Sequence, residues 1–395
     1  MSDITVLDID PFSAENLCYP YESQAAFRDA GPVFWLSRYQ TYGVARHAEV
    51  TALLENAENF ISSAGIGLDN LRNPKMPRQP SPIAEADPPQ HTAIRKGMNK
   101  IAHPKVIKQW RPLFEEGAVR HFDAVLGNGE IDGLVELSEA YIHSVFPVAV
   151  GIEPNRENLL IVGHHNGNAA GPYNDLTKAS QAALEGIMDW YQHHQTAAAM
   201  VPGGMGDMIF AAEARGEIPP NTASNMMRTV LRGGLDTTIS TIGSTLMYLA
   251  RNPDQWALLK EDHSLIIPAF EEALRLESPT SSIYRTTEGD ARVAGIALEP
   301  NTKVQVFIGA ANRDPRKWGE DAGVFDIRRD HTGHLGFGNG NHLCLGRNIA
   351  RLEAECFFSE FLKRVAAIEL AGEPVFRPVN MLRTLKNLPL KITLH

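Results

Sequence analysis

The chain predicts a mainly α fold with small β-sheets, a single unit over residues 1–395, on three observations. Apolar residues recur at helical spacing through most of the sequence, most extensively between Pro220 and Asn252. Strand-like runs are confined to one region near the start and one in the last third. No Gly/Ser linker, charge block or repeat offers a place to cut. With 43% hydrophobic and 21% charged residues the composition is that of a globular chain. A net charge of −10 argues against nucleic acid as a general partner, though not against a local basic patch. The stretch "MSDITVLDIDPFSAE" lacks the order of a secretory signal. No charge-free apolar run approaches the ~20 residues needed to span a bilayer, so the expectation is a cytoplasmic protein without a membrane partner. Three cysteines, Cys18, Cys344 and Cys356, are too few for a disulfide framework and fit a reducing compartment.

In chain order, "PVFWLS" and "TYGVAR" around "RYQ" read as a hairpin. "ADPPQHTAIRKGM" opens a helix with Asp87 as N-cap and Pro88 in the first turn, which places His91 and Arg95 four apart on one face. A helix of about thirty residues starts at Pro220 or Asn221 and stops at Asn252-Pro253. In its middle, "GGLDTT" combines two glycines with three side chains that compete for backbone hydrogen bonds, so a bulge or kink is expected there, with room for a small ligand. "SLIIPAFEEALRLESP" is a further helix ended by Pro279, and "RVAGIAL" and "KVQVFIG" flank the turn composition "EPNT" as a second strand pair. "GRNIARLEAECFFSEFLKRV" closes the helical set, with Cys356 on its apolar stripe.

The chemistry concentrates in "HLGFGNGNHLCLG", where Cys344 ends a glycine-rich loop just before a helix. Amide N–H groups and the helix dipole there favour a thiolate, able to act as nucleophile or metal ligand; the plain alternative is a buried thiol at a tight turn. The histidines of "GHHNGN" and "QHHQ" lack the spacing of a zinc site. Glu272 and Arg275, one turn apart, pair with each other or simply sit on a solvated face.

"FGNGNHLCLG" resembles the haem-ligand loop of the cytochrome P450 family, Phe-x-x-Gly-x-(His/Arg)-x-Cys-x-Gly, filled by Phe337, Gly340, His342, Cys344 and Gly346. "EALR" (Glu272 to Arg275) is similar to that family's Glu-x-x-Arg pair and "GGLDT" (Gly233 to Thr237) to its oxygen-activating segment. The resemblance implies a haem-thiolate monooxygenase of the P450 fold. In it Cys344 ligates the iron of haem b (iron protoporphyrin IX), and Phe337, Gly338 and Gly346 shape the loop against the cofactor. His91, Arg95, Arg285 and His342 hold its propionates. Asp236 and Thr237 become the acid–alcohol pair that delivers protons, and Glu272 and Arg275 brace the cysteine loop. A peroxygenase would lack that pair, and a haem sensor would need neither it nor a reductant.

With no flavin or NAD motif, electrons are expected from a ferredoxin and a ferredoxin reductase using NAD(P)H, with O2 as co-substrate. The cations Arg95, Lys96, Lys100, Lys105, Lys108 and Arg347 frame the docking face. The runs "RDAGPV", "YGVARHAEV", "GLDTT" and "ANRDPRKW" resemble a bacterial subgroup that oxidises para-substituted benzoates and methoxyarenes. This implies hydroxylation or O-demethylation of a small aromatic substrate, an aromatic acid foremost, with a neutral methoxyphenol or a small apolar compound such as a terpenoid as alternatives. In that subgroup an arginine and small hydroxyl residues at the start of the long helix hold the carboxylate. Arg228 matches the arginine, while Arg232 stands where serine is expected and either adds to an anion site or neutralises Asp236. Gly233, Gly167, Ala170, Ser281, Ser282 and Ile283 are the remaining expected substrate neighbours, and their small size implies a wide pocket.

Overall fold

A computed structural model describes residues 4–73, 79–127 and 129–395. The expected long helix is present as two, Ala223–Gly233 and Asp236–Arg251, with Gly234 and Leu235 between them. A Cβ on Gly234 would lie 2.1 Å from the Phe146 ring, so the glycine lets that ring reach the break. Beyond the break, hydroxyls bond back along the helix: Thr237 Oγ1 donates to Gly233 O at 3.2 Å, Ser240 Oγ to Asp236 O at 2.6 Å and Thr241 Oγ1 to Thr237 O at 2.7 Å. Such bonds compete with the regular ladder and bend it. The entrance lies two residues later than expected, where the Glu213 carboxylate accepts from the Thr222 and Ala223 amides.

The second half of this split helix runs through the main hydrophobic core, with Ile239, Ile242, Leu246 and Leu249 buried. Around it pack the helices Ile266–Glu277 and Arg347–Arg364, both as expected, and a wide-turn π segment, Gly133–Glu139, that continues into Ala140–Val150. Ser138 Oγ donates to Ile239 O at 2.7 Å and ties that segment to the split helix. Among the described residues no helix is long and apolar enough to cross a membrane.

The hairpin Phe34–Leu36 with Thr41–Val44 forms as expected and belongs to a six-stranded sheet. The second expected pair does not form. Arg292–Val293 folds back on Ile296–Ala297 through Ala294 and Gly295, both at positive φ, and Lys303–Val306 inserts between Thr41–Val44 and Ile283–Thr287 instead. Every residue of Lys303–Val306 is buried, so its backbone needs a strand on each side, which one local hairpin cannot give. Asp87 is not the N-cap of its helix, which spans Gln90–Ile101. Its carboxylate accepts from the Ser62 and Ser63 amides, both at 2.9 Å, and so fixes a neighbouring loop.

Candidate functional site

A cavity of about 390 Å³ lies between the break in the split helix, the helix Gln90–Ile101, the strand Ile283–Thr287 and the glycine-rich loop. That lies within the ~300–1,000 Å³ usual for a small-molecule site. Cys344 lies on its wall. The Cys344 amide donates to Phe337 O at 2.8 Å, and Gly338 and Gly340 turn the chain at φ 74° and 65°. Leu54 O would stand 2.4 Å from a Cβ on Gly340, so the loop seats there only with glycine. Burial pushes the Cys344 thiol above its ordinary range; the Gly346 and Arg347 amides and the cations Arg95 and Arg347 oppose this but do not overcome it. The Gly346 and Arg347 amides favour the thiolate as expected, and a metal bound at the sulfur would add further positive charge.

Along one wall, four groups from three separate segments converge. Arg285 is buried, donates to Tyr284 O at 3.0 Å, and burial lowers its pKa to about 10. The His91 and His342 rings stand 4.4 Å apart, and each has a buried Nε2 without a partner among the described residues. Burial first, then Arg285, pushes His342 down to about 3. Arg95 lies at the same cavity and hydrogen-bonds Asn99 at 3.0 Å. Buried donors of this kind require acceptors, and haem b brings two carboxylates. The orphaned nitrogens and the thiol on the cavity wall fit that cofactor.

The split helix presents two rows to its surroundings. Thr229, Gly233, Thr237 and Thr241, four apart, all line the cavity. Arg228, Arg232 and Asp236 form the row one residue earlier, turned by about 100°, and none of them lines it. Arg228 donates to Gln79 Oε1 and to the Gln79 and Pro80 carbonyls. Arg232 donates to Tyr191 Oη at 2.7 Å, so it does not neutralise Asp236; the charges acting on Asp236 are Arg377 and Glu139. Burial raises the Asp236 carboxyl to about 6.

Gly233 and Ile283 line the cavity as expected. Gly167 packs instead against Val379 and Leu382, and the Ala170 carbonyl accepts from the Leu68 amide at 2.9 Å. Ser281 and Ser282 face a separate small pocket beside Gln24 and Gln305. Alternation accounts for Ser282, which adjoins the cavity-facing Ile283 and points the other way. Sequence reasoning missed Phe146, Asn166 and Thr229, which line the cavity, and Ser81, whose Oγ lies 3.0 Å from Thr229 Oγ1. The four-residue row through Gly233 and Thr237 is the signal that could have found Thr229.

Glu272 and Arg275 are not on a solvated face. They form a fully buried bidentate pair with both N···O distances 2.7 Å, and Arg275 also donates to Asn312 O and Ala322 O. Arg329, unforeseen in the sequence, adds a second guanidinium on Glu272 at 3.1 Å and binds Asp321. The three residues thus tie the helix Ile266–Glu277 to the meander that leads into the cysteine loop.

A half-buried thiol on the wall of an apolar chamber, with buried cationic and imidazole groups on one side and an interrupted helix on another, defines a haem-thiolate enzyme. Comparisons with known proteins agree with that class. The cytochrome P450 family model matches residues 207–374. The chain is 42% identical to cytochrome P450 CYP199A2 of Rhodopseudomonas palustris over 98% of its length and 94% of that protein. It is 31% identical to cytochrome P450 107B1 of Saccharopolyspora erythraea over 78% and 76%. Among solved structures, cytochrome P450 CYP109Q5 from Chondromyces apiculatus superposes with a TM-score of 0.80 at 27% identity, covering 98% of this chain and 99% of that one. The chain belongs to the cytochrome P450 family: it is a haem b monooxygenase of the P450 fold.

Proposed function

We propose that the enzyme hydroxylates or O-demethylates a small aromatic acid with electrons delivered by a ferredoxin. Haem b would be held through its iron by Cys344 and through its propionates by His91, Arg95, Arg285 and His342, and would supply the oxygen chemistry. Phe146, Ile83 and Ile283 enclose the ring of the substrate and exclude water. Thr237 Oγ1 holds a proton at the cavity face of the break, and Asp236, with a carboxyl near 6, restores it.

The observation that carries the substrate class is the pair of hydroxyls Ser81 and Thr229 at the cavity edge, with Arg228 immediately before Thr229 in the helix. Two hydroxyls can donate to one carboxylate while the neighbouring guanidinium contributes charge through a short polar layer. A second reading, a neutral methoxyphenol, is favoured by the engagement of Arg228 with Gln79 and Pro80. Titration with 4-methoxybenzoate, 3,4-dimethoxybenzoate and 2,6-dimethoxyphenol distinguishes them through the high-spin shift of the haem. The acids are expected to bind, and Thr229→Val to weaken them about tenfold. A shift with the phenol alone replaces the acid by the neutral substrate.

For the electron donor, Lys96, Lys105 and Lys108 are exposed, whereas Lys100 already pairs with Glu217 at 3.4 Å. The docking face therefore rests on the other lysines with Arg347. Reversing Lys105 and Arg347 to Glu is expected to slow first electron transfer from a surrogate ferredoxin and flatten its salt dependence. Unchanged kinetics at low salt would move the partner elsewhere.

A further inference from the structure

Behind the break in the split helix, on the side away from the cavity, several elements bring ionisable side chains together without pairing them. Asp236 Oδ2 has no hydrogen-bond partner among the described residues, although the residue is only 7% exposed. Gly163 makes the space for it, since a Cβ there would lie 2.2 Å from that oxygen. The next residue, His164, has a buried Nε2 without a partner among the described residues, as do His143 at Nε2 and Arg377 at Nε. His143 Nδ1 lies 2.8 Å from Glu139 O. A carbonyl only accepts, so Nδ1 carries the proton and Nε2 presents a lone pair. Glu139 accepts from Arg156 Nε at 3.0 Å, and the side chains of these two are 10% and 46% exposed. The series thus runs from solvent at Arg156 to the first turn after the break.

The groups also act on one another through charge. On Asp236, burial and Glu139 raise the proton affinity and Arg377 lowers it. Arg377 and His143 both act on His164, which burial holds at about 4. Glu139 and Arg156 act on His143, and Asp236 and Glu139 on Arg377. Several buried polar atoms without protein partners in one region are the setting in which ordered water bridges.

We propose that His143 and His164, bridged by water beside Arg377, form the conduit that returns a proton from solvent at Arg156 and Glu139 to Asp236. The inference rests on Asp236 and Thr237 as the proton-delivering pair. Per transfer, a buffer acid gives one proton at the Arg156 end, each bridging water takes one proton as it releases another, each imidazole accepts one proton at Nε2 and passes that proton on to the next water, and the Asp236 carboxylate receives one; no electrons move. His143 and His164 transfer protons, whereas Arg377 and Glu139 are positioning residues that set the proton affinity of Asp236 in opposite senses.

The test uses the holoenzyme with a surrogate ferredoxin and reductase, and whichever of 4-methoxybenzoate and 2,6-dimethoxyphenol gives the larger high-spin shift. His164→Phe and His164→Gln are expected to slow product formation roughly ten- to a hundredfold, with a larger solvent isotope effect, more peroxide and an unchanged spin shift. Arg377→Gln is expected to move the Asp236 midpoint to higher pH and Glu139→Gln to lower pH. That midpoint is read both in the rate profile and, without substrate, in the infrared carboxyl band that Asp236→Asn removes. Loosened packing does not produce opposite shifts. If the His164 variants keep the wild-type isotope effect and the two charge variants shift nothing or shift together, while Asp236→Asn still slows turnover, the conduit is overturned and the acid–alcohol pair stands. If Asp236→Asn is itself fast and fully coupled, the pair falls and the conduit with it.

Discussion

At Cys344, burial and the local amides pull the thiol in opposite directions and burial prevails, so iron binding and sulfur ionisation are coupled. Cys356 is buried away from the cavity, pushed up to about 12, and is a packing residue. Replacing Cys344 with Ser should therefore abolish monooxygenation and the thiolate-type spectrum of the ferrous CO complex, while Cys356→Ser leaves that spectrum as it is. Dependence of the spectrum on Cys356 would reverse the two assignments. Thr237→Ala removes the hydroxyl that continues the cavity row just past the break, so reducing equivalents should be diverted to hydrogen peroxide at nearly unchanged substrate binding. Full coupling in that variant would take the threonine out of the mechanism.

Among the secondary-structure elements, the break is made by two contacts of different kinds. The back-bonded hydroxyls of Thr237, Ser240 and Thr241 weaken the ladder from within, and the Phe146 ring against Gly234 wedges it from outside. A methyl at Gly234 must displace that ring, at a cost typical of overpacking, about 1–3 kcal/mol. Gly234→Ala should lower the melting temperature accordingly, and Phe146→Leu in the same chain should recover part of the loss. Additive losses in the double variant would show that the ring is not the wedge. Of the cavity row, Gly233 and Thr237 were read from the sequence, whereas Thr229 and Thr241, at the same four-residue spacing, were not. The row beside it was not legible there: Arg228, Arg232 and Asp236 differ in fate because Gln79, Tyr191 and Gly163, distant in sequence, receive them.

Across the whole molecule, buried ion pairs tie the N-terminal, central and C-terminal parts of the chain together. Glu277 meets Arg383, Arg313, Tyr21 and Tyr248. Burial alone would raise this carboxyl, but Arg383 and then Arg313 hold it at about 2. A folded-state value below the unfolded one gives stability that is present above the ordinary carboxylate range and is lost as pH falls through it toward 2. The linkage amounts to about 3 kcal/mol. Glu277→Gln should lose most of that at neutral pH and show a flatter acid limb, measured as melting temperature between pH 7 and roughly pH 3.5. An acid limb as steep as that of the wild type would place the acid sensitivity in other carboxylates.

What the sequence determined by itself was whatever is local. Periodicity located the helices, glycine and threonine chemistry located the break, and the loop motif with its two companions pointed to Cys344 and to the family. What only the tertiary structure decided was partnership. Lys303–Val306 took two distant strands rather than its neighbour, Asp87 took a loop rather than its own helix, and Glu272 took Arg329 as well as Arg275. The physical reason is the same in each case. A buried backbone group, carboxylate or guanidinium must be satisfied by whatever the fold brings within hydrogen-bond reach, and that depends on the path of the whole chain.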